Sequence, residues 1–322
     1  MIRVFGSIAL WALAAHAGLA GLAGLQVEPA FAGAAGLEDD YVSTVEAERH
    51  EADEKFRSDI WSPLAVVAME RLGETPVVLG SGPDANLVLE GSGVAARHAE
   101  VVPESADGSL GYRLRALDGA LYTESDPESP IDELWLEEDG ARVRVGRYII
   151  YYDVLATLGP ILRVLDFETP AYQKFDGLDY FPVDRAYRVE AHVERYPEPV
   201  ETEIIDTMGF ASRGWLYGEA SFQLLGEALR LKLVLFTEKP GPDARFYVMF
   251  TDETNGKETY GACRYILPTF TDSDTIVLDF NRAVNPSCAY SPGFACPLPP
   301  RGNHIPFEVR AGVKDYPHGP GH

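Results

Sequence analysis

The sequence predicts an all-β protein: two consecutive β-sandwich-like domains behind a signal peptide and a short N-terminal helix. Three observations carry this. Apolar residues alternate with a period of two over most of residues 64–315, as in strands with one buried face. Turn formers interrupt the alternation at short intervals, as in Ser81-Gly82-Pro83-Asp84 and Asp107-Gly108. A hydrophobic content of 46% with 11% aromatics is enough for a packed core and argues against disorder or coiled coil. The 50 acidic residues against 27 basic ones leave a net charge of -23, which repels phosphate backbones and argues against a general nucleic-acid binder.

Residues 1–32 read as a targeting segment. Arg3 is followed by an uncharged Ala/Leu/Gly-rich run from Val4 to Leu25, and Ala30-Phe31-Ala32 offers a signal-peptidase site behind Pro29. The expectation is a cleaved signal and an exported protein, periplasmic or extracellular. Because the run is also long enough to span a bilayer, a retained anchor is the alternative, and a membrane is a partner only then. Residues 33–58 read as a short acidic helix, with Tyr41, Val45, Ala52 and Phe56 on one stripe. Between 59 and 168, strands are expected at 64–72, 75–79, 86–89, 99–102, 111–117, 142–152 and 161–165, and together they suggest a sandwich. A boundary falls near Asp166 to Pro170. The second domain, 169–315, shows strands at 187–195, 200–205, 215–224, 229–236 and 246–250. Asn255-Gly256 reads as a hairpin turn leading into 259–261. Its acidic loop lacks EF-hand spacing and reads as a tight solvated turn, with no metal expected. Residues 316–322, rich in Gly, Pro and His, read as a disordered tail.

Leu79-Gly80-Ser81, Asp84 to Leu89, Arg97-His98-Ala99-Glu100-Val101 and Glu138 to Gly146 resemble the order and spacing of a forkhead-associated domain over about 60–165. In that family an Arg after the first glycine and a Ser ahead of the Arg-x-His segment grip phosphothreonine. Ser81 and Ala95 stand at those positions here, so the domain is degenerate. Without the guanidinium and the hydroxyl, no phosphothreonine peptide is expected as a partner. His98 is expected to be structural.

Three further blocks lie downstream: Asp176 to Asp184 with Ala186 to Ala191; Thr254 to Gly261 with Arg264-Tyr265; and Leu278 to Ala283 followed by Asn285-Pro286, Cys288-Ala289-Tyr290, Cys296 to Pro300, Asn303 and Ala311-Gly312. In order and type they resemble the bacterial family catalogued as domain of unknown function 1684, across roughly 55–315. Cys263 stands where that family usually has glycine, and Val284 where an aromatic residue is common. The resemblance implies kinship and assigns no activity.

Alternation places Asp279 beside Asn281 on one strand face, and Glu258, Tyr260 and Arg264 on one face of the preceding strand. If those strands pair, Glu258, Tyr260, Arg264, Asp279 and Asn281 form one polar cluster beside Asn285. That cluster reads either as a ligand site or as a hydrogen-bond network pinning a Pro-rich loop. Cys288 and Cys296 are spaced for a small-loop disulfide in an exported protein, with Cys263 left over. Cys288 as a nucleophile needs a base, and His304 is the histidine close in sequence. No cofactor motif is present in the sequence.

The functional expectation is an exported, non-catalytic binding or interaction protein acting on an unknown small molecule or cell-envelope component. The alternative is an extracytoplasmic hydrolase or transferase using Asp279 or Glu258 as general acid/base.

Overall fold

A computed structural model describes residues 33–58, 62–106, 109–138, 140–155, 158–241 and 243–319, and the expected signal segment, 1–32, lies outside them. Among these residues the chain is mainly β, in two sandwich-like units. The first unit contains β1 (Val66–Arg71), β2 (Val77–Gly80), β3 (Leu87–Val88), β4 (Ala99–Ala106), β5 (Ser109–Ala116), β6 (Leu121–Thr123), β7 (Asp126–Ile131), β8 (Glu133–Leu136), β9 (Val143–Val145), β10 (Tyr148–Leu155) and β11 (Gly159–Leu165). One sheet runs β1-β11-β10-β9-β6-β7 and the other β3-β2-β4-β5-β8. Their inward residues, among them Leu79, Leu114, Leu121, Ile150 and Leu162, close one core. The alternation had no strand at β7 or β8. Five of the six residues of Asp-Pro-Glu-Ser-Pro-Ile are exposed on β7, which is an edge strand where prolines are tolerated.

The second unit contains β12 (Arg188–Ile205), β13 (Ala211–Leu224), β14 (Glu227–Leu235), β15 (Val248–Asp252), β16 (Arg264–Ile266), β17 (Thr275–Asp279) and β18 (His304–Ile305). The order is β14-β13-β12-β17 in one sheet and β16-β15-β18 in the other. Phe246, Val248 and Phe250 meet Ala191, Val193, Leu231 and Leu278 in its core. The two strands expected at 187–195 and 200–205 are one. Pro197 and Pro199 fall where the pairing of β12 with β13 shifts register between Arg195 and Val200, so the prolines mark an irregularity instead of an end.

Two further expectations change here. Strand β15 pairs with β16, Val248 opposite Ile266 and Phe250 opposite Arg264, so the returning strand starts after 259–261. The connecting turn is solvated at Glu253, Gly256 and Lys257 as expected, but its base is not: Asp252, Thr254 and Thr259 are almost inaccessible. Asp252 Oδ1 accepts from the Thr254 amide and hydroxyl, and Thr254 bonds Thr259 across the turn.

The units are locked together by the loop after Asn285. Ser291 Oγ donates to the Val66 carbonyl, Arg163 donates to the Gly293 carbonyl at 3.1 Å, and the same guanidinium covers the Phe294 ring. A Cβ on Gly293 would lie 2.4 Å from a Val66 methyl, so only glycine allows the approach. A separate aromatic core joins Phe56, Leu64, Phe175, Tyr290 and Tyr316. Tyr316 is thus packed and the chain is ordered through Gly319, which corrects the expected tail for those residues. No helix among the described residues is long and apolar enough to cross a membrane.

Candidate functional site

The expected single cluster does not form, because its strands are not neighbours. Strand β17 pairs with β12, Asp279 opposite Arg188, whereas β16 lies in the other sheet. The six candidate residues therefore separate.

Arg264 is fully buried. It donates to Asp252 Oδ2 at 2.7 Å and to the carbonyls of Val309 at 2.8 Å and Ala311 at 2.5 Å. Burial pulls its guanidinium below the ordinary arginine range, opposed by the Asp252 charge. Glu258 lies at the surface, bound to Arg310 at 3.0 Å. Asn285 donates to the Lys314 carbonyl at 2.9 Å. Asn303 donates to the carbonyls of Lys232 and Met249 and accepts from the Lys232 amide, so it takes a strand's place between β14 and β15. Three of these motif residues, Arg264, Asn285 and Asn303, thus pin backbone.

Tyr260 faces the thiols. Its hydroxyl donates to Cys288 Sγ at 3.5 Å, and burial pushes its own pKa up. The expected disulfide is absent: Cys263, Cys288 and Cys296 are buried free thiols, with the Cys288 amide donating to Cys296 Sγ at 3.2 Å. In this arrangement Cys296 Sγ serves as an acceptor that satisfies loop backbone. Hydrogen bonding from Cys296 draws the Cys288 pKa down, whereas burial raises that of Cys263. His304 is no base for Cys288, since its ring nitrogens face Thr251 and Glu253.

Asp279 and Asn281 remain together, and the element that covers them is one the sequence did not connect with them: helix α1 (Gly33–Ser58). Tyr41 sends its hydroxyl to Asp279, 2.9 and 3.0 Å from the two carboxylate oxygens, and accepts from Asn281 Nδ2 at 3.0 Å. Asn281 also reads both backbone groups of Asp184, accepting from its amide at 3.0 Å and donating to its carbonyl at 2.8 Å. Glu48 takes a two-pronged bond from Arg282 at 2.6 and 2.9 Å, and Arg282 also binds Asp279. Arg49 donates to the carbonyls of Phe181 and Asn281 and lies 4.6 Å over the Tyr180 ring. Asp53 accepts from the Leu178 amide at 3.2 Å and from the Tyr180 hydroxyl at 3.4 Å.

The guanidiniums of Arg185, Arg188 and Arg282 stand 5.0, 5.8 and 5.8 Å from the centre of the Tyr41 ring. Burial, with the Asp279 charge, pushes the Tyr41 pKa up to about 12, which keeps its hydroxyl neutral. Asp279 is 5% and Asn281 1% exposed beneath the helix. Among the described side chains of the helix, the buried apolar ones are Val45 and Phe56, worth roughly 1.5–3 kcal/mol each. Val42 and Ala52 are half-buried, and the contacts described above are polar.

The first unit carries an open cleft of about 820 Å³, lined among others by Val94, Ala95, His98, Tyr122 and Arg144. His98 has both ring nitrogens engaged, one by the Ala95 amide and the other by the Ala120 carbonyl. Ser81 spends its hydroxyl on the Val94 carbonyl.

With this geometry in view, residues 173–314 match the model of the family described as "Protein of unknown function (DUF1684)". The match covers less than half of the chain. Both blocks that receive α1, Asp176–Asp184 and Leu278–Ala283, lie inside the DUF1684 segment, and α1 lies outside it. Among solved structures the chain is similar to an uncharacterized protein from Haloarcula marismortui, at 35% identity over 46% of this chain and 82% of that one, with a TM-score of 0.39. It is also similar to the FhaA FHA domain crystallised with the intracellular domain of another protein, at 25% identity over 29% of this chain and 85% of that one, TM-score 0.20. An FHA domain from Mycobacterium tuberculosis aligns at 14% identity over 31% and 95% of the two chains, TM-score 0.20. No curated protein matches.

Proposed function

We propose that the protein is an exported, non-catalytic binding or interaction protein whose recognition face is the DUF1684 surface around Asp279, Asn281 and Arg282. One observation carries this reading. Of the residues expected to form a site, Arg264, Glu258 and Asn285 are engaged within the family segment, whereas Asp279 and Asn281 add to their contacts there, with Arg282 and Asp184, a side-chain contact with an element from outside it. A seat that already accepts a foreign element through polar contacts has the chemistry of a recognition surface.

Export is supported by the sequence of residues 1–32, and a cleaved signal is part of the proposal. The N-terminal unit is read as a degenerate forkhead-associated-like domain that does not take phosphothreonine. Ser81 and Ala95 supply no cation there, and Ser81 is occupied with the Val94 carbonyl. The hydrolase or transferase alternative has less behind it. Asp279 is enclosed by Tyr41, Asn281 and Arg282, and Glu258 is bound to Arg310 in another part of the domain.

The test is titration of the purified full chain against small molecules and cell-envelope fractions, wild type beside Arg282→Ala and Asp279→Ala. Saturable binding weakened at least about tenfold in folded variants supports the site. Equal binding by all three proteins removes it.

A further inference from the structure

The way α1 is held differs from ordinary helix packing. A helix that is simply part of a core presents an apolar stripe. Among its described side chains, α1 turns Tyr41, Glu48, Arg49 and Asp53 to the DUF1684 segment, and two apolar ones, Val45 and Phe56, are buried beside them. Polar contacts of this kind exchange one partner for another at small net cost, because water or a competing group satisfies the same donors and acceptors. The polar contact that reaches the buried Asp279 and Asn281 is the Tyr41 phenol. Its oxygen gives a hydrogen bond to a carboxylate and receives one from an amide, a pairing that only a neutral hydroxyl satisfies. Its ring is flanked by three guanidiniums, in a protein whose net charge is -23.

We propose that α1 is a displaceable strap and that the seat beneath it is a binding site for para-substituted phenols, with Tyr41 standing in it as a ligand supplied from within the chain. The proposal rests on the binding reading above and names its ligand class. The shared chemistry is a ring with a hydroxyl opposite its attachment point, which a small phenolic compound or a tyrosine side chain of a partner supplies equally. Asp279 and Asn281 read the hydroxyl, and Arg185, Arg188 and Arg282 read the ring. Arg49, Glu48 and Asp53 hold the strap.

The experiment uses the full chain. Tyr41→Ala empties the seat and is titrated with 4-methylphenol, with toluene, and with the peptide Gly-Tyr-Gly blocked at both ends. The expected result is saturable binding of 4-methylphenol about tenfold or more tighter than toluene, the difference a doubly bonded hydroxyl supplies. Binding of the peptide as well points to a protein source, and binding of the cresol alone to a small molecule; both support the site. Equal binding of toluene and 4-methylphenol, or of neither, overturns it. In wild type, hydrogen exchange of α1 is followed as 4-methylphenol is added, a readout that stands even if Tyr41→Ala does not fold. Faster exchange across residues 41–56, with the core strands unchanged, is expected of a strap. Unchanged exchange at ten times the concentration that saturates Tyr41→Ala, or at the solubility limit where that variant is unfolded, overturns it. If Tyr41→Ala binds another compound at this face and not 4-methylphenol, the phenol class fails while the binding reading survives. If nothing saturates, both fail.

Discussion

Arg264→Met separates a structural role from a ligand-binding one at one of the residues the sequence placed in a candidate site. Both Arg264 and its partner Asp252 have fully buried side chains, and the guanidinium also closes on two carbonyls, those of Val309 and Ala311. Methionine keeps much of the stem volume and removes the charge. Asp252 is then left as a buried carboxylate that has lost its ion-pair partner, although the Thr254 and Val309 amides still reach its Oδ1. Breaking one side of a buried pair costs about 3–5 kcal/mol, because the remaining charge stays desolvated. At about 2–4 °C per kcal/mol for a domain of this size, the midpoint of thermal unfolding falls by roughly 6–20 °C. Differential scanning calorimetry measures it. A cycle with Asp252→Ala completes the argument: the double variant should lose less than the sum of the singles, with a coupling of about 2–3 kcal/mol. A fall of less than about 2 °C in folded Arg264→Met, or a strictly additive double variant, would refute the reasoning.

Three further outcomes are expected. Gly293→Ala forces a Cβ into Val66 and should loosen the seam between the units, lowering stability by roughly 1–3 kcal/mol and raising protease sensitivity between residues 285 and 300; wild-type behaviour would contradict the packing. Tyr41 ionises near 12 in the folded chain against its ordinary 10, so its contribution is complete below pH 10 and is lost as pH rises through 12. Stability of wild type and Tyr41→Phe, followed by circular dichroism, should therefore converge across that window, and parallel curves would count against it. Native protein should react with a thiol reagent far more slowly than urea-unfolded protein, which should titrate three thiols, since all three cysteines are buried and unpaired; a count of one in the unfolded state would show a disulfide.

Much of the architecture was legible because period-two alternation survives wherever a sheet has one dry face. Strands β10, β13 and β14 are cases in point. Legibility failed where local chemistry and tertiary role diverge. Pro197 and Pro199 read as a break and mark an irregular pairing inside a continuous strand, and β7 carries too many polar residues to announce itself. The site failed for a different reason. The parity rule correctly placed Asp279 next to Asn281, but parity holds within a strand and says nothing about which strands become neighbours. Glu258, Tyr260 and Arg264 were assigned to the Asp279 cluster on an assumed pairing that β12 takes instead. Nothing local in Tyr41, Glu48, Arg49 or Asp53 points to a surface more than a hundred residues away; the acidic helix only looked solvated. The one available signal was the stripe containing Tyr41 and Phe56, which needed a partner somewhere.

The Tyr41 to Asp279 contact joins residues 238 positions apart. Helix α1 leaves the ribosome well before β17 exists to receive it. The whole chain between them, the first unit included, is therefore synthesised as a loop whose two ends are later fastened together. That closure has a high contact order and is slow compared with local strand pairing. Until it happens the Asp279 surface is bare, so a nascent or clipped molecule carries an open seat where the finished one carries a closed seat.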